Sequence, residues 1–407
     1  MKMINPFDAL ELILSNVKEV GYEYIPVFDA LNRVGFENVK SKVNLPSFNN
    51  SAMDGYAIKF EALENYPNGL KIIGTIKAGD MKEYNLTDSQ TCYKIMTGAK
   101  LPEGADTVVE YEKTENPEPD ICKIVGNVKP GANIRKIGED IKAGEIIEIK
   151  GKKLKPWDIS RLISCGLTNI KVYRKLRVAV LATGDELIMP GEQLKEGVYD
   201  SNSFAIKNLL LSNNIDVSYL GISKDNIEDF EKIFESFSNY DAIISSAGIS
   251  FGDYDVVTNV FKEKGIEWIF KNVKQKPGKP FSFALLNDGT PYFALPGNPV
   301  SSFFCTFFYI LPALRKMMGD NNFKNKSIYA TLAGDMLKKN NRFHFNRVTV
   351  KYSNESFIAI PFKTQDSHII SSLFYGNAFA VIEDERTGVI KTGEKVKCYI
   401  YDYDSVF

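Results

Sequence analysis

Two acids, Asp253 and Asp255, close the segment SSAGISFGDYD at residues 245–255. The apolar run DAII (241–244) leads into it and a helix-like run follows. A turn of small residues after a strand brings backbone N–H groups close to an anion. Acids at the lip of such a turn therefore pose a chemical problem, because like charges must be held together. Two other turns add to it: ATGDE (182–186) offers Asp185 and Glu186, and SKDN (223–226) offers Asp225. Opposite charge is near in sequence. KQKPGKP (274–280) sets Lys276 and Lys279 about a Pro-Gly turn. Two ammonium groups so placed can grip a phosphate or another oxyanion, or can decorate a solvated hairpin. In LPGNPVS (295–301), Gly297 permits close backbone approach, Asn298 suits a helix cap and Pro299 the first helical position. The N–H groups beyond them form an anion seat or simply begin a core helix.

Three motifs in the first third of the chain are weaker taken singly. NNSAMDGYAI (49–58) places Asp54 before Gly55, as an ordinary Asp-Gly turn would. MTGAKLPEGADTVV (96–109) and NIRKIGEDI (133–141) read as loops whose notable members are Thr97 and Arg135. A rival signal sits at Gly248–Gly252, which matches the G-x-S-x-G nucleophile elbow with Ser250 as nucleophile. Its histidine would have to be His344 or His368, both in the β-rich tail and badly placed for a Ser-acid-His order.

Composition narrows the chemistry further. The 407 residues contain only those two histidines and five dispersed cysteines, Cys92, Cys122, Cys165, Cys305 and Cys398, with no CxxC. A histidine- or thiolate-rich metal site cannot be assembled, so a bound metal must rest on oxygen ligands, which points to Mg²⁺ or a similar hard cation. A net charge of −1 without a Lys/Arg block gives no footprint for nucleic acid. The longest apolar run, FFCTFFYILPAL (303–314), is too short to span a bilayer and contains Pro312. The acids within MKMINPFDALELIL are unlike a signal peptide, so a cytoplasmic protein is expected.

Positioning these groups requires several domains. NPFDALELILSNV (5–17) has helical spacing, with Asn5 as cap and Pro6 in the first turn. Residues 46–138 read as short strands broken by Gly, Pro and Asp. From 176 the pattern alternates: strands at LRVAVLATG, DVSYLGIS, DAIISSAG and IEWIFKNV, with helices between them. Such alternation means βαβ units and a parallel sheet, and ligands of open parallel sheets sit at the carboxyl ends of the strands. The acid-bearing turns occupy those ends. PFSFALLNDGTPYFALPG reads as two strands about an Asn-Asp-Gly turn, NPVSSFFCTFFYILPALRKMMG as a long buried helix ending at Gly319, and residues 320–407 as a small β-barrel. The expected fold is multidomain α/β plus β. It has a mixed N-terminal domain (1–45 with 139–174), a β-rich insert (46–138), a central three-layer α/β domain with a mostly parallel sheet (175–320) and a C-terminal barrel (321–407).

Taken together the motifs resemble the molybdopterin molybdenumtransferase family, the MoeA proteins and the gephyrin E domain. NSAMDGYAI, MTGAKLPEGADTVVEYE, GANIRKIGEDIKAGE, ATGDELIMPGE, VYDSNS, SSAGISFGDYDVV, KPGKPFSFA, LPGNPVSSF and QDSHIISSLFYGNAFAVI occur in the family's order across nearly the whole chain. The resemblance implies Mg²⁺-dependent insertion of molybdate into adenylated molybdopterin with release of AMP. It also implies a homodimer with its cleft between protomers, and transient contact with the molybdopterin adenylyltransferase and target molybdoenzymes. By motif, it assigns catalytic roles to Asp54, Thr97, Glu186, Asp225, Asp255 and Lys279, with Glu186, Asp225 and Asp255 on the metal. Substrate-binding positions are Arg135, Ser250, Asp253, Lys276, Pro296, Asn298, Pro299 and a serine of the last domain, Ser371 or Ser372. On this reading the acids hold a cation that bridges to phosphate oxygens, which answers the problem of acids at an anion site. One departure is visible: Ala247-Gly248 stands where the family usually has Gly-Gly. An adenylating enzyme acting one step earlier and a gephyrin-type clustering protein are the alternatives.

Overall fold

Strands without polar alternation are buried on both faces, and the middle of the chain holds a series of them. The computed structural model describes residues 3–80, 82–194, 196–247 and 256–406. Six strands, β1 (Arg177–Thr183), β2 (Asp216–Ser223), β3 (Ala242–Ser246), β4 (Trp268–Lys271), β5 (Ser282–Leu285) and β6 (Pro291–Leu295), form one sheet in the order β2-β1-β3-β6-β5-β4. The first four in that order run parallel. β5 is antiparallel to both β6 and β4. The β5–β6 hairpin turns at Asn287-Asp288-Gly289 as expected, with Gly289 at φ +86° and Asp288 Oδ1 accepting from Thr290 N at 2.9 Å.

Helices cover both faces. They are α1 (Pro6–Asn16), α2 (Ser201–Leu211), α3 (Ile227–Phe234), α4 (Val256–Glu263), α5 (Pro299–Cys305) and α6 (Leu311–Met317). Val178, Val180, Ile244 and Phe293 point to the side covered by α1, α2, α5 and α6. Ala179, Leu181, Ile243 and Ala294 point to the side of α3 and α4. Burying a Phe or Leu contributes about 2–3 kcal/mol, and Phe304, Phe308, Phe230 and Phe261 are all buried in these layers. The long helix expected after Pro299 is present with a difference. A π-helical stretch, Thr306–Ile310, separates α5 from α6, and Gly319 at φ +69° follows the end.

Two compact units account for the chain, Met1–Glu23 with Tyr173–Phe407, and Tyr24–Val172. Helix α1 belongs to the first because Ala9 and Ile13 join the core around Val178 and Phe308. Asn5 caps it as expected, accepting from Phe7 N at 2.9 Å. The same unit ends in a barrel of β7 (Ser327–Leu332), β8 (Phe343–Ser353), β9 (Ser356–Pro361), β10 (Ala378–Ile382) and β11 (Lys395–Ile400). The order β8-β9-β7-β11-β10 closes through a β8–β10 pairing, leaving no free edge among the five. Inward Val348, Val350, Ala359, Ala380 and Cys398 fill it. A short strand, Gln275–Lys276, joins the start of β8 in parallel.

In the unit Tyr24–Val172, a six-stranded sheet is ordered Thr107–Glu110, Gly55–Ile58, Thr91–Ile95, Leu70–Ile76, Ile121–Ile124, Thr114–Glu118. Beside it, Asn50–Ser51 pairs antiparallel with Ile134–Arg135. Among the described residues no helix is long and apolar enough to cross a membrane.

Candidate functional site

The carboxyl ends of β1 and β2 bring the first acids together. Gly184 leaves β1 at φ +145°, a conformation that favours glycine, with the Glu186 carboxylate folded back over the turn beside it. Gly184 N donates to Ser223 O at 3.1 Å, tying the turn to the end of β2. One step on, Asp225 N donates to Asp185 Oδ1 at 3.2 Å. Partial desolvation, then the charges of Asp185 and Glu186, push the Asp225 carboxyl above the usual range. Asp185, Glu186 and Asp225 thus form a crowd of negative charge. Ser250, Asp253 and Asp255 lie outside the described residues, between the end of β3 at Ser246 and the start of α4 at Val256. Among the described residues no three acid, histidine or cysteine side chains are grouped so as to hold a metal.

Ala247, the departure from Gly-Gly, has a left-handed backbone at φ +69°. Its N–H donates to Leu295 O at 3.1 Å, and its Cβ lies 3.4 Å from where a side chain on Gly297 would begin. The methyl group therefore packs against the turn that precedes α5.

Of the two readings of the lysine turn, the solvated hairpin does not describe its centre. Pro277 and Gly278 are buried, while Lys276 and Lys279 remain partly exposed. Lys276 Nζ is 3.9 Å from Asp366 Oδ1. Lys279 O accepts from Val273 N at 2.8 Å, fixing the far side of the turn.

The helix start offers fewer donors than its motif suggests. Asn298 holds the N-cap position, but its side chain makes no capping bond. Pro299 has no N–H, and Val300 N donates to Ser367 O at 3.1 Å. Pro296 is buried, and Asn202 Nδ2 holds Gly297 O at 2.7 Å. The expected anion seat at this helix is therefore narrower than three free N–H groups.

The loop that takes the Val300 N–H is organised by a residue the motifs did not single out. Arg347, on β8 and 1% exposed, donates from Nε to Ser372 Oγ at 3.0 Å. Its other nitrogens reach the carbonyls of Gln365 at 3.1 Å, Asp366 at 3.0 Å and Thr364 at 3.4 Å. Desolvation lowers its pKa to about 10. The available signal was an arginine inside the strand-forming run FNRVTV (345–350). Of the two serine candidates, Ser372 is buried and committed to Arg347 and to Ile369 O, whereas Ser371 is exposed at the start of a short helix.

In the unit Tyr24–Val172, the three weaker motifs meet. Thr97 donates to Asp54 Oδ1 twice, from N at 2.6 Å and from Oγ1 at 2.7 Å. The backbone bond first, then the hydroxyl, hold the Asp54 carboxyl below its usual range. Ser51 N donates to Ala99 O, and Ile134 faces Ser51 on the other side, so the strand Asn50–Ser51 lies between the Thr97 loop and the strand carrying Arg135. The Arg135 side chain is exposed. The arrangement presents an ionised carboxylate and a guanidinium on neighbouring segments.

Known proteins match this chain along nearly its whole length. Residues 4–166 match the MoeA N-terminal region (domain I and II), residues 179–316 a probable molybdopterin binding domain, and residues 329–401 the MoeA C-terminal region (domain IV). The chain is 36% identical to a molybdopterin molybdenumtransferase of Haemophilus influenzae over 92% of each chain. It is 30% identical to one from Staphylococcus epidermidis over 98% of this chain and 96% of that one. Two solved structures of a molybdopterin biosynthesis MoeA protein from Pyrococcus horikoshii, 28% and 29% identical, superpose with TM-scores of 0.84 and 0.81. They cover 98% of this chain and 100% of theirs. With its motifs, its closed barrel and relatives matched along its whole length, the chain belongs to the molybdopterin molybdenumtransferase (MoeA) family.

Proposed function

We propose that this chain is a transferase of molybdenum-cofactor synthesis that inserts molybdate into adenylated molybdopterin and releases AMP with a divalent hard cation. The observation that carries the reading is the charge pattern at the strand ends. Asp225 is pushed up in pKa beside Asp185 and Glu186, while Lys276 and Lys279 flank a buried turn in the same unit. A ligand bearing both negative oxygens and a cation resolves that pattern, and an adenylate with molybdate is such a ligand.

The residues fit Mg²⁺ by donor chemistry: carboxylate oxygens only, crowded enough that a cation relieves their repulsion. Glu186 and Asp225 would hold it, with Asp255 as the remaining ligand. When bound, Mg²⁺ neutralises phosphate oxygens and polarises the phosphoanhydride. The chain's own residues do the rest by position. Lys276 and Lys279 hold oxyanions, and the Gly297 turn lets the substrate come close to the protein backbone. Asp54, kept ionised by Thr97, and Arg135 act from a second copy of the chain in a homodimer. Pro296, Asn298, Pro299, Ser250, Asp253 and Ser371 complete the substrate contacts. The reading keeps the four domains 1–45 with 139–174, 46–138, 175–320 and 321–407, except that helix α1 packs into the core of the α/β domain.

The direct test is incubation with adenylated molybdopterin, molybdate and MgCl₂, following AMP and active cofactor. AMP release that needs both molybdate and a hard divalent cation is expected. ATP consumption with molybdopterin alone would assign the earlier adenylating step instead.

A further inference from the structure

The lysine turn is held from inside the protein by two polar side chains that packing alone does not require. Gln275 and Tyr309 are both 0% exposed, in an apolar core that includes Val273, Phe281, Phe304, Cys305 and Phe308. A buried amide or phenol costs stability unless its hydrogen bonds are made, and here they are. Tyr309 OH donates to Gln275 Oε1, and Gln275 Nε2 donates to Gly278 O at 3.2 Å. Gly278 is the centre of the Lys276–Lys279 turn, at φ +87°. A Cβ there would lie 2.6 Å from Cys305 Sγ and 2.8 Å from Gln275 Nε2, so the turn is seated directly on this pair of side chains. Phe281 stacks on the Tyr309 ring with centroids 4.7 Å apart, and its N–H reaches the same Gly278 carbonyl at 3.2 Å. Tyr309 itself lies in the π-helical stretch Thr306–Ile310. Such wide turns occur frequently at functional sites.

We infer that Gln275 and Tyr309 are positioning residues. They orient the Gly278 peptide so that Lys276 and Lys279 present their ammonium groups to the same oxyanion. The helix that starts beside the site at Pro299 also reaches, through its π turn, the turn that carries the lysines. Neither residue touches substrate; both act through the turn. This role rests on the reaction proposed above, so its test includes a measurement independent of that reaction.

Tyr309→Phe removes one hydroxyl and keeps the ring stack, and Gln275→Met keeps the volume. Hydrogen–deuterium exchange over residues 273–281 should quicken in each variant, with a lowered thermal midpoint but a cooperative transition for Tyr309→Phe, because the buried Gln275 Oε1 loses its donor. kcat/KM for AMP release should fall about threefold to tenfold, the range for losing one hydrogen bond. Tyr309→Phe added to Gln275→Met should cost nothing further, because Tyr309 acts through Gln275. Unchanged exchange at the turn would overturn the inference. So would faster exchange with unchanged kcat/KM, or losses that add in the double variant. If Gln275→Met does not fold, Tyr309→Phe alone decides by the same two readouts. A wild-type protein that releases no AMP would remove the proposed reaction, and the exchange measurement would then judge the link between Tyr309 and the turn by itself.

Discussion

Asp225 is held among like charges at the ends of β1 and β2. Its folded-state pKa is raised, so the folded protein binds that proton more tightly than the unfolded chain does. Stability from this group is therefore present at acid pH and lost as pH rises through the folded pKa. Asp225→Asn should leave the thermal midpoint at pH 7 unchanged or higher, and cut AMP release by about a hundredfold, the scale for losing a preorganised charge. Melting and turnover measured on one sample check it; a less stable variant with normal turnover would make Asp225 structural. Ala247 carries strain of another kind, a Cβ in the left-handed region at φ +69°. That conformation costs an alanine about 1–2 kcal/mol, against roughly 0.5–1 kcal/mol of extra unfolded-state entropy for glycine. Ala247→Gly should then stabilise the unit by up to about 1 kcal/mol, read from denaturant midpoints; a destabilised variant would show that the methyl contact at Gly297 outweighs the strain. At this scale the sequence was half legible. Asp185, Glu186 and Asp225 were marked by their place after strands. The Asp54–Thr97 bond joins residues 43 positions apart and no local pattern announces it. Arg347 was missed because a buried cation satisfied by backbone carbonyls leaves no motif.

Strand β8 carries both the barrel and a share of the site's support. His344, on it, is buried and accepts no proton readily: burial first, then Lys338, Lys276 and Arg342, lower its pKa to about 4. Its Nε2 lies 3.1 Å from Asn340 Oδ1. A histidine depressed in the folded state contributes stability that is complete above its unfolded pKa and lost as pH falls towards the folded one. Between pH about 6.5 and about 4, wild type should lose up to about 1.4 kcal/mol more per pH unit than His344→Gln. Parallel urea curves for the two proteins at pH 7 and pH 5 measure the difference; identical shifts would refute it. Three residues along the same strand, Arg347→Met would leave the carbonyls of Thr364, Gln365 and Asp366 without their donor. A loss of about 2–4 kcal/mol is expected from several unmade bonds to a charged group, with faster hydrogen exchange confined to residues 364–372. A variant as stable as wild type would show that water replaces the guanidinium. The elements were more legible than the residues. Apolar runs in β1, β3 and β6, the Asn-Asp-Gly hairpin and the Asn5-Pro6 helix start all carry local signals, and all are present. The π turn at Thr306–Ile310 and the burial of Pro277-Gly278 against Gln275 and Cys305 depend on tertiary contacts, which periodicity cannot register.

Across the whole molecule, specificity came from order rather than from any single motif. Asp-Gly turns and capped helices are common, but nine motifs in one sequence order, matched from residue 4 to residue 401, define the family. The same scale raises the question of how two groups of candidate residues would serve the proposed reaction. Asp54, Thr97 and Arg135 belong to the unit Tyr24–Val172, whereas Asp185, Glu186, Asp225, Lys276 and Lys279 belong to the other. If each cleft takes its Asp54 cluster from one copy of the chain and its Asp225 cluster from another, the two can be inactivated separately. An Asp54→Ala homodimer and an Asp225→Asn homodimer would each have two damaged clefts. A heterodimer of the two variants would have one cleft with both lesions and one with neither. Mixed, tagged and purified as heterodimers, they should recover about half the wild-type AMP release per dimer, while each parent stays near background. The arithmetic follows from twofold symmetry, in which every interface is built twice from the same pair of surfaces. Failure to recover activity in verified heterodimers would place both clusters in one protomer's cleft. Recovery would fix the functional unit as the dimer, with the exposed Asp54 that Thr97 hydrogen-bonds in one copy completing a cleft whose other acids stand at the ends of β1 and β2 in the partner.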